Sequence, residues 1–241
     1  MHRVALVTAL LLALLPVRAA ALGGINLKWD GCSLDGAGAK TFACDANTGD
    51  AFALYVSVAA PSAVPALVGV GVRVNLAFDD VAIPAWWQTA TGQCREGAVA
   101  VSYAPADLVT ACPDVWQGRG SLSVQQVLPG WRANVLRVVS AAAMPADSAV
   151  YLPEDGPEYT ACRISIARAN STGAGACAGC ALGACMYAEE VDLYQPDPAP
   201  MIAVTNVLNS ALVTWNSAYT GCNADVPARN RSWGQIKSLY R

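Results

Sequence analysis

The chain has 241 residues, of which 54% are hydrophobic and 14% are charged, with a formal net charge of −3. This composition excludes a disordered linker, because so many apolar residues can bury a full core. The length suits one large β domain. A mildly acidic chain without an internal basic block is also a poor ligand for nucleic acid or for an anionic membrane.

The first 21 residues have the parts of a cleavable signal peptide. A positive start, His2 and Arg3, precedes an apolar stretch over residues 4–15, and Ala19 and Ala21 offer the small side chains of a signal-peptidase site. The apolar stretch is shorter than the ~20 residues of a transmembrane helix, and no later segment is suited to span a bilayer. We therefore expect a secreted protein, located at the cell surface, in the medium or in the periplasm.

Removal of the signal peptide limits the chemistry of the mature chain. Arg3 and Arg18 are removed with it, so the net charge of the mature chain becomes −5. His2, the only histidine, is removed as well. Without histidine the chain cannot form a Ser-His-Asp triad, a Cys-His dyad or a histidine-ligated metal site. We expect no cofactor, and the main enzyme class left open is a glycoside hydrolase that uses two carboxylates.

All nine cysteines lie in the mature part, where an oxidising compartment favours disulfides. Because nine is odd, one thiol is left over. Cys162 alternates with Ile164 and Ile166, so it is predicted to face the core as a free, buried thiol. The disulfide candidates are the other eight: Cys32, Cys44, Cys94, Cys112, Cys177, Cys180, Cys185 and Cys222.

Sequence proximity favours the pairs Cys32–Cys44 and Cys94–Cys112. The cluster Cys177/Cys180/Cys185 would then pair once internally and once with Cys222. Two alternatives stay open: a four-cysteine zinc site built from this cluster and Cys222, and a redox motif at Cys177-Ala-Gly-Cys180.

Apolar and polar residues alternate with a period of two along much of the chain, which indicates half-buried strands. The pattern predicts a mainly β fold, an antiparallel β-sandwich or jelly roll, with a short C-terminal helical appendage. The predicted strands are 25–29, 52–58, 70–78, 99–103, 122–128, 132–140, 148–152, 159–168, 187–193 and 201–204.

The appendage is predicted over residues 205–241. Apolar residues from Val207 to Trp215 fall at helical spacing, and Ser232 with Gln235 forms a capping-box pattern before a second helix. The expected organisation is a signal peptide (1–21), a disulfide-linked sandwich (22–204) and this appendage (205–241).

Three groups of carboxylates are candidates for acid–base chemistry, and one loop is a candidate for calcium. Their more ordinary interpretation is solvated surface charge or turns. The acidic groups are Asp79-Asp80, Glu154-Asp155 with Glu158, and Glu189-Glu190 with Asp192. The calcium candidates are Asp45, Asn47 and Asp50, although the position of the twelfth EF-hand ligand is occupied by Val56.

Trp86 and Trp87 are the candidate ligand-binding residues. Neighbours in an extended chain point to opposite sides, so one ring can lie in the core while the other is exposed to stack on a sugar or to anchor a protein. The alternative is that both rings are buried against the loop that carries Cys94.

Several segments resemble an uncharacterised family of exported, cysteine-rich bacterial proteins, and this resemblance implies export and carries no catalytic residue. The strand over residues 68–80 is also similar to strands of cohesin and carbohydrate-binding sandwiches, which implies the fold alone. The segments that resemble the bacterial family are Trp29-Asp-Gly-Cys32, Phe42-Ala-Cys44-Asp45, Pro84-Ala-Trp86-Trp87, residues 175–180 and residues 229–241.

The leading hypothesis is a non-enzymatic binding or structural module that recognises a glycan or a protein partner. Two other hypotheses are a carboxylate-dependent glycoside hydrolase and a subunit of an extracellular assembly.

Cleavage after Ala21 is directly testable. N-terminal sequencing and intact mass of the secreted protein should show a chain that begins at Leu22, because the small residues at 19 and 21 form the cleavage site. A secreted chain that retains residues 1–21 would contradict the signal-peptide assignment.

Overall fold

A computed structural model describes residues 23–33 and 35–216. These residues form thirteen β-strands and three short 3-10 turns. The strands are β1 (Gly24–Trp29), β2 (Ala39–Lys40), β3 (Phe52–Ala59), β4 (Val64–Leu67), β5 (Gly69–Phe78), β6 (Val99–Ser102), β7 (Leu122–Pro129), β8 (Val135–Ala143), β9 (Val150–Leu152), β10 (Tyr159–Ile166), β11 (Ala184–Tyr194), β12 (Ile202–Val204) and β13 (Leu212–Trp215).

The strands form two main sheets that face each other. One has four strands in the order β1-β3-β10-β6, and the other has seven, in the order β2-β13-β11-β5-β8-β7 with β12 paired to β11. All pairings are antiparallel except β13 with β2. A small sheet pairs β4 with β9. The prediction of a mainly β sandwich is confirmed, and each of the ten predicted strands is present.

One continuous core lies between the two sheets, and strand periodicity explains its composition. On β5, Val70, Val74 and Phe78 are fully buried, whereas Arg73 points to the outer face and is partly exposed. Burying a Val or Leu side chain contributes about 1.5–3 kcal/mol, so the register of each strand is strongly fixed. In the described ranges no helix is long and apolar enough to cross a membrane.

The helix predicted from Val207 to Trp215 is wrong. Residues 212–215 form β13, which pairs with the start of β11. Val213 and Trp215 are buried while Leu212 and Thr214 are partly exposed, so the period is two rather than helical. The sheet therefore extends past the expected boundary at 204. The second predicted helix, at Ser232, lies outside the described residues.

The cysteines form disulfides, as predicted, but the predicted pairs Cys32–Cys44 and Cys94–Cys112 are wrong. The observed bonds are Cys32–Cys112, Cys44–Cys180 and Cys94–Cys177, with sequence separations of 80, 136 and 83 residues. Each joins segments that only the folded sandwich brings together, and the Cα atoms of each pair are 6.0 Å apart. Sequence proximity is therefore a poor guide to pairing here.

These bonds also overturn the zinc and redox alternatives, because Cys177 and Cys180 are bonded to different partners rather than to a metal or to each other. Cys185 is buried and disulfide-bonded. Cys222 lies outside the described residues, so its pairing stays a prediction. Three disulfides indicate that the chain folds in an oxidising compartment.

Proteolysis without reduction and with alkylation should recover the three cross-linked peptide pairs. We also expect a fourth pair, Cys185–Cys222, because Cys162 is free and these are the two cysteines that remain. Recovery of Cys32–Cys44 or Cys94–Cys112 from freshly purified protein would contradict the fold, since those residues are bonded elsewhere in it.

Candidate functional site

Trp86 and Trp87 do not form a binding surface. They lie on a 3-10 turn (Ala85–Trp87) rather than in extended chain, so their side chains do not point to opposite sides. Both are 0% exposed. Trp86 stacks on Trp215 at a centroid distance of 5.3 Å and donates from Nε1 to the Ser171 hydroxyl, 2.9 Å away. The sequence-based assignment of a ligand site to this pair is therefore wrong.

Cys162 is free and fully buried between the sheets. Burial raises the pKa of its thiol to about 12, although hydrogen bonds from Tyr103 and the Val56 backbone oppose the rise. Burial also raises the pKa of Tyr103, whose hydroxyl lies 2.8 Å from that of Ser140. A neutral, inaccessible thiol of this kind is chemically inert.

The calcium candidates are engaged in the structure of a loop. Asn47 Oδ1 accepts hydrogen bonds from the backbone N–H groups of Ser171 and Thr172, and its Nδ2 donates to the Thr172 carbonyl at 2.9 Å. Arg168 binds the backbone carbonyl of Asp50 at 2.9 Å. Within the described residues no three His, Cys, Asp or Glu side chains come together in a way that could hold a metal ion.

Two of the three acidic groups are dispersed. Asp79 and Asp80 are exposed just beyond the end of β5, and Glu154 is exposed in a loop. Glu158 accepts hydrogen bonds from Asn26 Nδ2, at 2.9 Å, and from the Ser57 hydroxyl. These contacts attach Glu158 to strands β1 and β3.

The third group lies on the outer face of the seven-stranded sheet because of a β-bulge. The pairing of β11 with β5 shifts between Ala188 and Glu190. As a result Glu189 and Glu190, although adjacent in the chain, both lie on the outer face. Glu189 accepts from Asn75 and from Arg137, both at 2.9 Å. Glu190 pairs with Arg73, whose Nη1 is also 3.9 Å from Glu189.

Asp192 is the one acid of this group without an ion pair among the described residues. Its Oδ1 accepts no hydrogen bond there, and its Oδ2 lies 3.4 Å from the hydroxyl of Tyr194. Burial raises the pKa of Asp192, the Glu190 carboxylate adds to the rise, and Arg73 opposes it. The Oδ1 atom is buried, so this carboxylate is only partly accessible to a partner.

An open trough lies on the same outer face, beside Tyr194. Its floor consists of small residues on β5 and β8, including Gly69, Ala141 and Ala143, and its volume is about 380 Å³. One wall is Tyr194 of β11, and the other is formed by Leu122 and Val124 of β7. Leu122 is 87% exposed and Val124 is 73% exposed, so this wall is apolar surface in contact with water.

The glycines of β5 allow Tyr194 to form its wall. A Cβ at Gly69 would lie 3.2 Å from Tyr194 Cβ, and one at Gly71 would lie 3.3 Å from Tyr194 Cε2. The tyrosine therefore lies directly over the glycine backbone, an arrangement by which aromatic rings protect glycines within sheets. Larger residues here would lift the ring and close the trough.

Sequence reasoning predicted the strand that carries Leu122, Val124 and Leu128 but not the direction of these side chains. An apolar row in a strand is normally assigned to the core. One signal could have indicated otherwise: Gln126 occupies a position in this row, and an amide is rarely placed in a dry core without partners. The trough also depends on Tyr194 and Gly69, which no local pattern brings together.

No protein-family model and no curated protein matches the sequence of the chain. Among solved structures, the chain is similar to the second type II cohesin module from the cellulosomal adaptor ScaA scaffoldin of Acetivibrio cellulolyticus, at 11% sequence identity. The similarity covers 82% of this chain and 98% of that chain, with a TM-score of 0.37. Cohesin is one of the sandwich classes that the strand over residues 68–80 resembles. The strands themselves establish the fold.

The buried thiol makes stability depend on pH in a defined direction. Above pH 9 the unfolded thiol ionises, whereas the folded thiol stays neutral to about pH 12. The free energy of unfolding should therefore fall as pH rises, by about 1.4 kcal/mol for this group between pH 8 and pH 10. Urea denaturation at both pH values measures it.

The matched control is Cys162→Val, which keeps an apolar side chain of similar size and removes the ionisable group. The difference between the two proteins isolates Cys162 from the tyrosines that titrate in the same range. An equal loss of stability in both proteins would contradict the assignment.

Proposed function

We propose that the protein is an exported, non-enzymatic binding module that recognises a protein partner through the trough on the outer face of the seven-stranded sheet. The observation that carries the proposal is the apolar wall formed by Leu122 and Val124, which stands almost fully exposed opposite Tyr194. Exposed apolar surface gathered around a concave site is typical of interaction surfaces.

The shape of the trough favours an extended peptide segment. Its floor consists of small residues on two paired strands, Gly69 opposite Ala143, with Ala141 two residues further along β8. Apolar side chains of a partner would fill the space above this floor and remove Leu122, Val124 and Tyr194 from water. Burial of that area contributes roughly 25 cal/mol per Å², and tyrosine is among the residues enriched in binding hot spots.

The charges beside the trough specify the partner further. Glu189 and Glu190 are ion-paired with Arg137 and Arg73, whereas Asp192 has no ion pair among the described residues. A partner that places a lysine or arginine next to its apolar side chains would pair with Asp192, whose Oδ2 lies 3.4 Å from the hydroxyl of Tyr194. Complementary charges of this kind contribute to specificity and to the association rate.

The geometry of the acids supports binding over hydrolysis. Glu190 is ion-paired with Arg73, whereas each of the two carboxylates of a glycosidase has to reach the substrate. Glu189 is tied to Arg137 and Asn75 at hydrogen-bond distance. The hypothesis of a glycan ligand also loses its main sequence feature, because Trp86 and Trp87, the residues expected to stack on a sugar, are buried.

The proposal can be tested with a phage-displayed peptide library selected on the mature protein. We expect peptides that combine apolar residues with a lysine or arginine. Tyr194→Ala removes one wall and Ala141→Arg fills the floor, so each should weaken peptide binding at least about tenfold, or 1.4 kcal/mol. Asp192→Asn should remove the preference for a basic residue.

Val109→Arg is the matched control, because Val109 is an exposed valine outside the trough that accepts the same new charge. Peptides that bind Ala141→Arg as well as the unmodified protein would overturn the proposal. Binding on a glycan array that Tyr194→Ala abolishes would instead assign the trough to a carbohydrate.

A further inference from the structure

The edges of the two main sheets differ in how they are covered. The edge of β1 is bonded to the chain at residues 206–210, for example from Leu27 N–H to the Ser210 carbonyl at 2.8 Å. The edge of β6 is covered by the Gln125 side chain, which accepts from Val101 N–H and donates to the Val99 carbonyl. The edge at β2 is two residues long. In the described part of the chain, β7 is the long strand of the main sheets whose outer edge has no partner.

The backbone groups at this edge can be identified from the ladder between β7 and β8. Gly130 N–H donates to the Val135 carbonyl at 2.7 Å, and bonding alternates along an antiparallel strand. Residues 122, 124, 126 and 128 therefore bond to β8. The N–H groups of Ser123, Gln125 and Val127 point away from the sheet, and no described group accepts from them.

We infer that β7 is a self-association site, at which the β7 strands of two copies of this chain pair antiparallel about a two-fold axis. This inference goes beyond the proposed function and does not depend on it. The pairing would join two seven-stranded sheets through their edges into one continuous sheet. Because the same edge is used on both copies, the contact is closed and produces a dimer rather than a fibre.

A register centred on Gln125 satisfies every free donor at the edge. With Gln125 on the two-fold axis, Gln125 faces its own copy and Ser123 faces Val127 of the second copy. All three free N–H groups of each strand then find a carbonyl across the axis. A shift of the axis by one residue towards the C-terminal end places Ser123 opposite Pro129, which has no N–H to donate.

The side chains of β7 fit the same register. On the outer face, Leu122 lies opposite Leu128 of the second copy and Val124 lies opposite Gln126, so two exposed leucines are brought into contact. Cross-strand apolar pairs of this kind each contribute roughly 0.2–1 kcal/mol.

Charge selects a second copy as the occupant of this edge. A two-fold axis sets each charged residue near its own equivalent, and like charges opposite each other destabilise a strand pair. The mature chain carries a net charge of −5, yet β7 contains no charged residue. Natural proteins usually protect such edges with lysine, with a bulge or with a short strand, and β7 pairs with β8 without any register shift.

The expected dimer is weak. Two eight-residue strands cover less than the ~1,600 Å² of a standard stable interface. Sedimentation velocity on the mature protein, from about 10 µM to about 1 mM, should therefore show a concentration-dependent rise from the monomer mass towards twice that mass.

Ser123→Pro removes one free N–H and places a ring at the edge, and proline is tolerated in an edge strand whose N–H faces solvent. We expect its association constant to fall at least about tenfold, whereas the matched variant Ser123→Ala keeps the N–H and should associate as the unmodified protein does. Circular dichroism of both variants checks that the sandwich is intact.

A cross-linking experiment tests the register on an unmodified backbone. Protein carrying Leu122→Cys is mixed with protein carrying Leu128→Cys under mild oxidation. The two cysteines face each other across the axis, where the Cβ atoms of opposed residues are about 4.5–5.5 Å apart, so a disulfide-linked heterodimer should form rapidly. A mixture of Leu122→Cys with Gln126→Cys, which matches a shifted register, should cross-link at least about tenfold more slowly.

A mature protein that stays monomeric over the whole concentration range, or Ser123→Pro protein that associates like Ser123→Ala protein, would overturn the inference. Ala141→Arg is predicted to leave dimerisation unchanged, because Ala141 lies in the trough and not at the edge. Failure of the dimer and failure of the trough as a peptide site can therefore be distinguished.

Discussion

The sandwich depends on an aromatic cluster in its core, where Trp215 contacts Trp86 at a centroid distance of 5.3 Å and Phe52 at 4.9 Å. A buried arginine, Arg95, stacks on Trp86 with its guanidinium carbon 3.6 Å from the ring centroid. It is not paired with a carboxylate in the described residues; it donates instead to backbone carbonyls, including that of Trp86 at 2.8 Å. Burial lowers the pKa of Arg95 to about 10. Removing this side chain would leave buried carbonyls without donors, at a cost of about 1–3 kcal/mol each.

The disulfides extend this cluster into a covalent frame. Cys94 precedes Arg95 and is bonded to Cys177, and Cys180, bonded to Cys44, accepts a hydrogen bond through its carbonyl from Trp215 Nε1 at 3.0 Å. The loops at this position are therefore held by both packing and covalent bonds. With the core side of both sheets fixed in this way, the outer face of the seven-stranded sheet is free to carry a partly exposed ion-pair network and a trough.

The alternation of apolar and polar residues predicted the strands, because one side of a half-buried strand faces the core and the other faces water. This difference is visible in the local sequence. The features that were missed are non-local. Trp86 and Trp87 sit on a turn whose geometry depends on the cluster around Trp215. The sequence around residues 212–215 predicts a helix, because the pattern does not show that the edge of β11 is available to pair with this segment. Glu189 reaches the outer face through a bulge that only the pairing of β11 with β5 reveals. Disulfide partners 80 or more residues apart likewise require the fold before they can be assigned.

The exposed edge of β7 has a physical cause within the same chain. Gln125 covers the edge of β6 by accepting from one backbone group and donating to another, and among side chains of its length only the amide can do both. Lysine has no acceptor, and ionised glutamate has no donor. A charged residue therefore cannot replace Gln125, in the middle of β7, without uncovering β6. The edge of β6 is thus covered by Gln125, a neutral side chain of β7. Within the described residues, β7 is therefore uncharged at the centre of its unpaired edge. An edge that is kept neutral by such a requirement is one that a second copy can approach without electrostatic opposition.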